Sequence, residues 1–372
     1  MKILIAHAYA GIGHKKAAEA VHNALSGSSG VHVTTVDTLD YTNAFFKFSY
    51  PRVYLFLINR VPLVWACLYY LLDLRSADFF CGPLRRFFHN LQARRFAEFV
   101  LKENPDVVLC THFMPAEIIS GLKKKDIFKG KLITLITDFL PHSFWMAGGS
   151  DYFIAAIDRT KKDLVRRGVE EKKIMVFGIP CDPVFSVTKG RDALVRKLGI
   201  CEGFFNLLIM GGGFGTGPVR KIVSALSEEP EKIRKAIQAI VICGKNKKLY
   251  EDLTAAKTKL YMELSVFGYM DNVDEFMEVS DCIVTKSGGL TISEALSKRL
   301  PMIIIQPIPG QETRNCKVLT GYGTAIRANS VKEVLFGIRE FINYPDKIIG
   351  MKTRIGLLSY SGAAKDIANF IV

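Results

Sequence analysis

Hydrophobic positions along the chain form short unbroken runs that alternate with stretches of helical spacing. After the first apolar run, for example, residues 17–25 place apolar side chains on one helical face. In the first half the strand-length runs are residues 2–8, 31–37, 106–112, 132–138, 152–156 and 173–178. Short apolar strands separated by helices indicate a parallel sheet that helices cover on both faces. The pattern therefore predicts an α/β fold.

The alternation pauses at residues 178–186, a proline-containing segment, and then begins again. The strand-length runs of the second half are residues 205–213, 239–244, 264–269, 281–286 and 302–307. We therefore predict two doubly wound, Rossmann-like parallel-sheet domains, residues 1–184 and residues 198–355. The amphipathic segment 359–372 is expected to cross back and pack on the first domain. Folds of this class bind ligands at the carboxyl ends of their strands.

The amino-acid composition limits the kinds of molecule that the chain is expected to bind. The 372-residue chain carries 50 Lys plus Arg against 36 Asp plus Glu, a net charge of +14, and 49% of its residues are hydrophobic. The apolar fraction excludes a disordered chain, and the basic excess indicates an anionic membrane, nucleic acid or a phosphate-bearing substrate. No window of ~20 residues lacks charges and helix breakers, so we expect no spanning helix. Eight scattered cysteines without a C-x-x-C pair indicate the reducing cytoplasm.

Two glycine-rich loops each follow a predicted strand and precede a predicted helix. They are AGIGH (10–14) and GGGFGTGP (211–218). Glycines let backbone amides approach a phosphate, and the following helix adds free N–H groups and the positive end of its dipole. Neither loop fits the P-loop pattern of kinases and ATPases. A plain strand-to-helix turn is the alternative interpretation of each loop.

A third helix entry lies at SGGLTISEAL (287–296). We expect Leu290 and Thr291 to begin this helix and Glu294 to lie in its first turn. A carboxylate there either stabilises the helix N-terminus or accepts both hydroxyls of a ribose, as in dinucleotide sites.

The segments TKSGGLTISEA (285–295) and PIPGQETRN (307–315) resemble the donor-binding signature of glycosyltransferase family 28. The similarity is to its bacterial processive diacylglycerol glucosyltransferases and plant monogalactosyldiacylglycerol synthases. Further segments that resemble this branch are 10–20, 137–145, 178–185, 211–219 and 243–249. The resemblance covers about the whole chain. It implies a GT-B fold, in which two Rossmann-like domains face each other across a central cleft.

The resemblance also implies roles in binding a UDP-sugar. Glu294 would hold the ribose, Gln311 and Glu312 would bind the sugar hydroxyls, and Asn315 would lie nearby. The positions implied for the diphosphate are Gly212, Gly213, Gly215, Gly289, Leu290 and Thr291. Those implied for the uracil are Phe267 and Met270. Ile12 and Phe214 depart from the pattern of the galactosyl synthases, so glucose and galactose both remain as donor hexoses.

The implied reaction is an inverting attack of an acceptor hydroxyl on the anomeric carbon of the UDP-sugar. It needs a base for the hydroxyl proton and a site that stabilises the departing UDP. His14, at the end of the first glycine loop, is the first candidate base, and Asp138 is the second or else orients a histidine. We expect His112 to be an ordinary capping residue. For His142 both a capping role and a functional role remain possible. No Asp-x-Asp pair is present, so we expect neither a metal nor another cofactor.

Residues 41–96 differ from the rest of the chain in being rich in aromatic side chains. Within them, residues 52–95 hold seven Arg against two Asp, a net charge of +5. This composition suits a segment lying on anionic lipid, and an ordinary buried helical insertion is the alternative. The predicted acceptor and membrane residues are Gly11, Gly13, Trp65, Arg85, Arg86, His142 and Trp145.

Together these features predict an inverting glycosyltransferase peripherally bound to the cytoplasmic face of the cell membrane. It would move the hexose of UDP-glucose, or alternatively UDP-galactose, to the 3-hydroxyl of diacylglycerol. One alternative is a UDP-N-acetylglucosamine transferase acting on an undecaprenyl-linked lipid. Another is a non-catalytic protein of the same fold that binds a nucleotide sugar or a lipid surface. Nucleic-acid binding is disfavoured because no such motif accompanies the charge.

Overall fold

A computed structural model describes residues 1–9, 11–74 and 94–372 of the chain. Contacts between residues divide these into two units, which we describe separately. Unit 1 comprises Met1–Pro183, Ile308–Arg314 and Tyr360–Val372, and unit 2 comprises Val184–Pro307 and Asn315–Ser359. The sequence division placed the short segment Ile308–Arg314 in the second domain, whereas its contacts group it with unit 1.

The described residues form the following elements. The strands are β1 (Lys2–His7), β2 (His32–Asp37), β3 (Val107–Cys110), β4 (Lys131–Leu135), β5 (Tyr152–Ala155), β6 (Ile174–Val176), β7 (Phe205–Met210), β8 (Ile237–Ile242), β9 (Glu263–Phe267), β10 (Cys282–Thr285), β11 (Met302–Ile305) and β12 (Ala325–Ala328). The helices are α1 (Ile12–Leu25), α2 (Ala44–Arg60), α3 (Pro62–Leu72), α4 (Arg94–Glu103), α5 (Phe113–Lys124), α6 (Asp158–Arg166), α7 (Arg191–Leu198), α8 (Val219–Ser227), α9 (Glu231–Arg234), α10 (Lys247–Ala256), α11 (Val273–Val279), α12 (Gly289–Ser297), α13 (Gln311–Gly321), α14 (Val331–Asn343), α15 (Pro345–Gly356) and α16 (Ala363–Ile371). Short 3-10 turns cover Thr38–Tyr41, Ser143–Trp145, Glu171–Lys173, Pro183–Ser186 and Lys257–Lys259.

Unit 1 is built on a parallel sheet with the strand order β2-β1-β3-β4-β5-β6. The central strand β1 is buried along almost its whole length, which explains why the sequence shows an unbroken apolar run there. Ile3 of this strand lies opposite Val33 on β2 and Val107 on β3. The register brings the carboxyl ends of β1, β3 and β4 to the same edge of the sheet.

Each face of this sheet carries its own apolar core. On one face, Ile3 and Ile5 pack with Val21 of α1 and with Ile367 and Ile371 of α16. The C-terminal helix therefore belongs to the core of unit 1. On the other face, Leu4 of β1 and Val108 of β3 pack with residues of α4 and α5, namely Phe96, Val100, Met114 and Ile119.

Unit 2 is built on a second parallel sheet, with the order β12-β11-β10-β7-β8-β9. The predicted strands of both halves are present, and β12 is the strand that the sequence analysis missed. Its four residues, AIRA, include the exposed Arg327 and are too few and too polar for a clear apolar run. The expectation for Glu294 was wrong in one detail. Helix α12 begins at Gly289, so Glu294 lies in its second turn.

The packing of α16 leads to a stability prediction. Ile367 is fully buried, so Ile367→Ala should lower the free energy of unfolding of unit 1 by ~2–4 kcal/mol. Both tryptophans of the chain, Trp65 and Trp145, lie in unit 1, so their fluorescence during urea unfolding reports on this unit. The exposed Lys365→Ala on the same helix is the control and should change stability by less than ~0.5 kcal/mol. An unchanged urea midpoint for Ile367→Ala would show that α16 does not contribute to the core.

Candidate functional site

His14 lies in the first turn of α1, directly after the first glycine loop. Its Nδ1 is 2.7 Å from the carbonyl oxygen of Thr111 and 3.0 Å from Oγ1 of Thr137. The hydroxyl of Thr111 in turn donates to the carbonyl of His14 at 2.9 Å. Because a carbonyl oxygen only accepts, the neutral ring carries its proton on Nδ1 and its lone pair on Nε2. The residues that follow β3 and β4 thus fix a tautomer in which Nε2 can take a proton.

The surroundings of His14 keep the ring neutral. Burial lowers its pKa to about 4, the Thr111 carbonyl opposes that effect, and the nearby His7 adds to it. The ring makes an edge contact with His112, with centroids 4.7 Å apart, and lies 6.2 Å from the ring of Trp145. At neutral pH His14 is therefore in the form that accepts a proton.

Asp138, the other candidate base, is buried and accepts hydrogen bonds on both carboxylate oxygens. Trp145 donates from Nε1 to Oδ2 at 3.1 Å, and the side-chain amide of Gln311 donates to Oδ1. Both oxygens are thus occupied by N–H donors, which favours a role in holding Trp145 and Gln311. Of the two candidates, His14 has the geometry of a base.

The other two candidate histidines have structural partners. His112 caps α5 by accepting from the amide of Met114 at 3.1 Å, as expected. His142 is buried, its Nε2 is 2.8 Å from the carbonyl of Tyr69, and its Nδ1 accepts from the amide of Phe144 at 3.2 Å. It therefore connects the 3-10 turn Ser143–Trp145 to the end of α3. His142 and Trp145 were predicted as acceptor residues, and both are buried.

The C-terminal end of α3 carries a partly buried ionic cluster that the sequence analysis did not identify. Asp73 accepts from Arg167 through two nitrogens, at 2.9 and 3.1 Å, and also from Arg314 and the amide of Ser143. Burial alone would raise the pKa of Asp73, but the hydrogen bonds from Arg167 and then Arg314 outweigh it and hold the pKa below its ordinary value. The cluster joins segments that no local sequence pattern relates.

Helices α2 and α3 expose many large apolar side chains, among them Phe45 at 79% and Leu63 at 77% exposure. We define the α2–α3 apolar face as Phe45, Phe48, Val53, Phe56, Leu63, Val64, Leu68, Leu71 and Leu74. The interpretation of this region as an ordinary buried insertion is wrong for these residues, and so large an exposed patch is typical of an interaction site. Trp65 is partly buried and contacts the rings of Tyr54 and Tyr69. Arg85 and Arg86 lie outside the described residues.

Within the described ranges, no single helix is long and apolar enough to cross a membrane. Residues 44–58 and 62–72 meet the criterion of length and composition together, as a pair of helices bent by 108°.

The predicted diphosphate and uracil positions in unit 2 follow the carboxyl ends of β7, β9 and β10. The second glycine loop, after β7, has Gly212 and Gly215 at φ of +71° and +57°. A Cβ on Gly215 would lie 2.0 Å from the carbonyl oxygen of Cys243, so only glycine fits there. Phe267 ends β9 and packs on Phe276 at 4.7 Å. Gly215 thus lets this loop pack closely on the segment that follows β8.

The remaining donor positions divide between the two units. In unit 2, Gly289 begins α12, Leu290, Thr291 and Glu294 are partly buried on it, and Met270 is partly buried after β9. The fully buried Asn315 donates to the carbonyl of Ser287 at 3.0 Å, which holds the entry to α12.

Gln311 and Glu312, the predicted sugar ligands, group with unit 1 instead. Glu312 accepts from the amide of Ile308 at 2.9 Å, which closes the turn before α13.

Unit 1 also contains a polar cavity of about 480 Å³ beside the carboxyl ends of β1 and β2, which the sequence analysis did not predict. It is lined by His7, Tyr9, Lys15, Glu19, His22, Asn23, Thr35, Asp37 and Asp40. Nδ1 of the buried His7 has no hydrogen-bond partner among the described residues. No group of three His, Cys, Asp or Glu side chains in the described part of the chain is arranged to hold a metal ion.

Each half of the chain matches a known family model. Residues 14–181 match the family model of monogalactosyldiacylglycerol synthase, and residues 206–331 match the model of the glycosyltransferase family 28 C-terminal domain. A processive diacylglycerol β-glucosyltransferase of Bacillus pumilus is 27% identical over 375 residues, 100% of this chain and 94% of that protein. A protein of the same name from Bacillus cereus is 31% identical over 264 residues, 71% of this chain and 66% of that protein.

Solved structures similar to the whole chain confirm the predicted GT-B class. MurG of Acinetobacter baumannii has a TM-score of 0.64 and covers 100% of this chain and 98% of its own. UDP-GlcNAc 2-epimerase of Neisseria meningitidis, bound to UDP-GlcNAc, has a TM-score of 0.63 with 100% and 99% coverage. Both are 14% identical to this chain, which shows the fold alone. The two family models and the full-length relatives show that this chain belongs to glycosyltransferase family 28, in the branch of the diacylglycerol glucosyltransferases and monogalactosyldiacylglycerol synthases.

Proposed function

We propose that this protein transfers a hexose from a UDP-sugar to the 3-hydroxyl of diacylglycerol with inversion at the anomeric carbon. The observation that carries the proposal is the match of residues 14–181 to the monogalactosyldiacylglycerol synthase model, because this stretch contains His14, Asp138 and the α2–α3 apolar face. The donor half matches the family 28 model, and the relatives are named as diacylglycerol β-glucosyltransferases. Glucose is therefore the hexose we favour over galactose.

In this mechanism His14 is the general base. The diacylglycerol hydroxyl attacks the anomeric carbon while its proton passes to Nε2 of His14. The bond between that carbon and the diphosphate oxygen breaks, and UDP leaves with the bonding electron pair. The carbonyl of Thr111, which accepts from Nδ1 at 2.7 Å, stabilises the imidazolium that forms. One displacement of this kind inverts the configuration.

The departing UDP would be stabilised by backbone groups. In the proposed complex, the amides of the second glycine loop and the N-terminus of α12 face the diphosphate, Glu294 binds the ribose, and Phe267 and Met270 frame the uracil. Gln311 and Glu312 bind the hexose hydroxyls. We propose that these groups suffice without a metal ion or another cofactor.

The acceptor is a membrane lipid, so the proposal includes peripheral binding at the cytoplasmic face of the membrane. The α2–α3 apolar face would enter the headgroup boundary of the bilayer. The exposed Arg52 and Arg60 on α2 would meet anionic headgroups, where each basic residue contributes about 1 kcal/mol. Apolar side chains and cations on one pair of helices are what such a surface requires.

The test is an assay of the purified chain with vesicles that contain diacylglycerol and an anionic phospholipid. UDP-glucose should give UDP and a hexosyl-diacylglycerol, and vesicles without diacylglycerol should give no lipid product. UDP-galactose and UDP-N-acetylglucosamine run in parallel identify the donor. Transfer of N-acetylglucosamine to an undecaprenyl-linked lipid, with none to diacylglycerol, would establish the first alternative function. If no donor and lipid give UDP release, the result would favour the second alternative, a non-catalytic binding protein.

The role of His14 predicts a selective loss of turnover. His14→Ala should lower kcat by ~10²–10⁴-fold, because the acceptor proton loses its base. The Kd of UDP should change little, since His14 lies in unit 1 and the proposed uracil, ribose and diphosphate contacts lie in unit 2. The control is His22→Ala, which removes another histidine from the same helix and should retain near-normal kcat. Near-normal turnover in His14→Ala would instead assign the base to Asp138.

The lowered pKa of His14 predicts an unusual pH profile. Protonation of Nε2 removes the lone pair, so kcat/KM should fall as the pH drops through the pKa of about 4. The profile should be level from neutral pH down to about pH 5 and decline about tenfold per pH unit below about pH 4. Asp138→Asn should keep this limb if His14 is the base. A limb centred near pH ~6.5, the ordinary value for histidine, would contradict the lowered pKa of His14.

A further inference from the structure

Segment Ile308–Arg314, which carries the proposed hexose ligands, is attached to the last turn of α3. The guanidinium of Arg314 pairs with Asp73 and lies 5.1 Å from the ring centroid of Tyr69 and 5.5 Å from that of Tyr70. It also donates to the carbonyl of Pro141 at 3.4 Å. One arginine thus makes an ion pair and two cation–π contacts with a single helical turn.

The packing of Gly310 on Tyr69 adds a steric condition to this attachment. Gly310 has a φ of +97°, and a Cβ on it would lie 2.9 Å from the buried ring of Tyr69. The carbonyl of Tyr69 is itself fixed by His142 at 2.8 Å. The segment therefore contacts α3 through its backbone as well as through Arg314.

One residue beyond Gly310, the side-chain amide of Gln311 donates to the carboxylate of Asp138. The contacts of Arg314 and Gly310 therefore hold Gln311 at a defined position in unit 1. The end of α3 therefore acts on this segment through Arg314 and Gly310, while Asp138, after β4, holds the side chain of Gln311.

The ionic cluster gives Asp73 a second counter-ion besides Arg314. Asp73 is held by two nitrogens of Arg167 in addition to Arg314, and Arg167 is itself paired with Asp163 at 2.8 Å. Without Arg314, the partly buried Asp73 would therefore still be paired with Arg167. The attachment of Ile308–Arg314 is thus a contact whose loss leaves this carboxylate paired.

The same short helix that holds this segment also exposes Leu63, Val64, Leu68 and Leu71 of the α2–α3 apolar face. The proposed lipid contact and the contact with Ile308–Arg314 therefore involve one helix of 11 residues and its C-cap, Asp73. We infer that Asp73 and Arg314 are positioning residues that couple lipid contact by α2–α3 to hexose binding by Ile308–Arg314. The inference rests on the proposed function. It adds that contact with the membrane surface controls the affinity of the protein for its sugar donor.

Coupling of this kind is reciprocal and measurable as a change in affinity. Vesicles of phosphatidylglycerol and phosphatidylcholine without diacylglycerol allow donor binding to be measured without turnover. For the unmodified protein, these vesicles should tighten UDP-glucose binding by about fivefold or more, within the usual range of coupling. The affinity for UDP should not respond, because Ile308–Arg314 is proposed to bind the hexose. UDP-glucose should strengthen vesicle binding by the same factor.

Asp73→Asn should abolish the effect of vesicles on the Kd of UDP-glucose. In the diacylglycerol assay it should raise the KM for UDP-glucose more than it lowers kcat. Arg314→Gln should behave alike, and the double variant should be no worse than either single one, because both remove one contact. The matched control is Asp163→Asn, which removes a carboxylate from Arg167 but leaves the pair between Asp73 and Arg314 in place. Vesicle flotation and tryptophan fluorescence verify that each variant binds lipid and is folded.

Two results would overturn the inference. The first is that vesicles do not change the UDP-glucose affinity of the unmodified protein. The second is that the Asp73→Asn variant keeps the vesicle effect. If Asp73→Asn is unfolded, Arg314→Gln takes its place in this test. Failure of the proposed function is a separate result, since the unmodified protein would then form no hexosyl-diacylglycerol. Normal transfer with a donor affinity indifferent to vesicles would refute the coupling alone.

Discussion

The burial of each parallel sheet on both faces is the constraint from which the other features follow. Such strands must be apolar along their length, so polar chemistry is confined to the loops at their ends. In unit 1 this places the residues after β3 and β4, including Thr111 and Thr137, against the start of α1, where His14 lies. In unit 2 it places the second glycine loop after β7. The packing of the sheets thus determines where catalysis and binding can occur.

Burial also sets the chemical state of the proposed base. Desolvation makes the imidazolium of His14 costly, and one carbonyl determines which nitrogen carries the proton of the neutral ring. The proposed base is therefore neutral at neutral pH but weak, so in the proposed mechanism the hydroxyl proton would be transferred only as the bond to the sugar forms. Asp138 contributes differently, since its two oxygens hold Trp145 and Gln311 in fixed places.

The sequence predicts the strands, the glycine loops and His14 because each depends on a local pattern. Apolar runs mark buried strands, and a polar residue after a glycine loop marks the carboxyl edge of a sheet. The partners of these residues are not predictable in the same way. Asp73 meets Arg167 and Arg314 across 94 and 241 residues of sequence, and nothing near any of the three indicates the others. The contact of Nε2 of His142 with the carbonyl of Tyr69 likewise depends on where α3 ends.

The proposed entry of the α2–α3 apolar face into the membrane would set the concentration of acceptor that this protein meets. A protein that enters the headgroup boundary meets diacylglycerol in two dimensions, so the relevant quantity is the mole fraction of acceptor in the surface. Diluting diacylglycerol with other lipids would slow the reaction, whereas adding more vesicles of the same composition would not speed it once all protein is bound. The rate of glycolipid synthesis would then report the composition of the membrane rather than the amount of lipid in the cell.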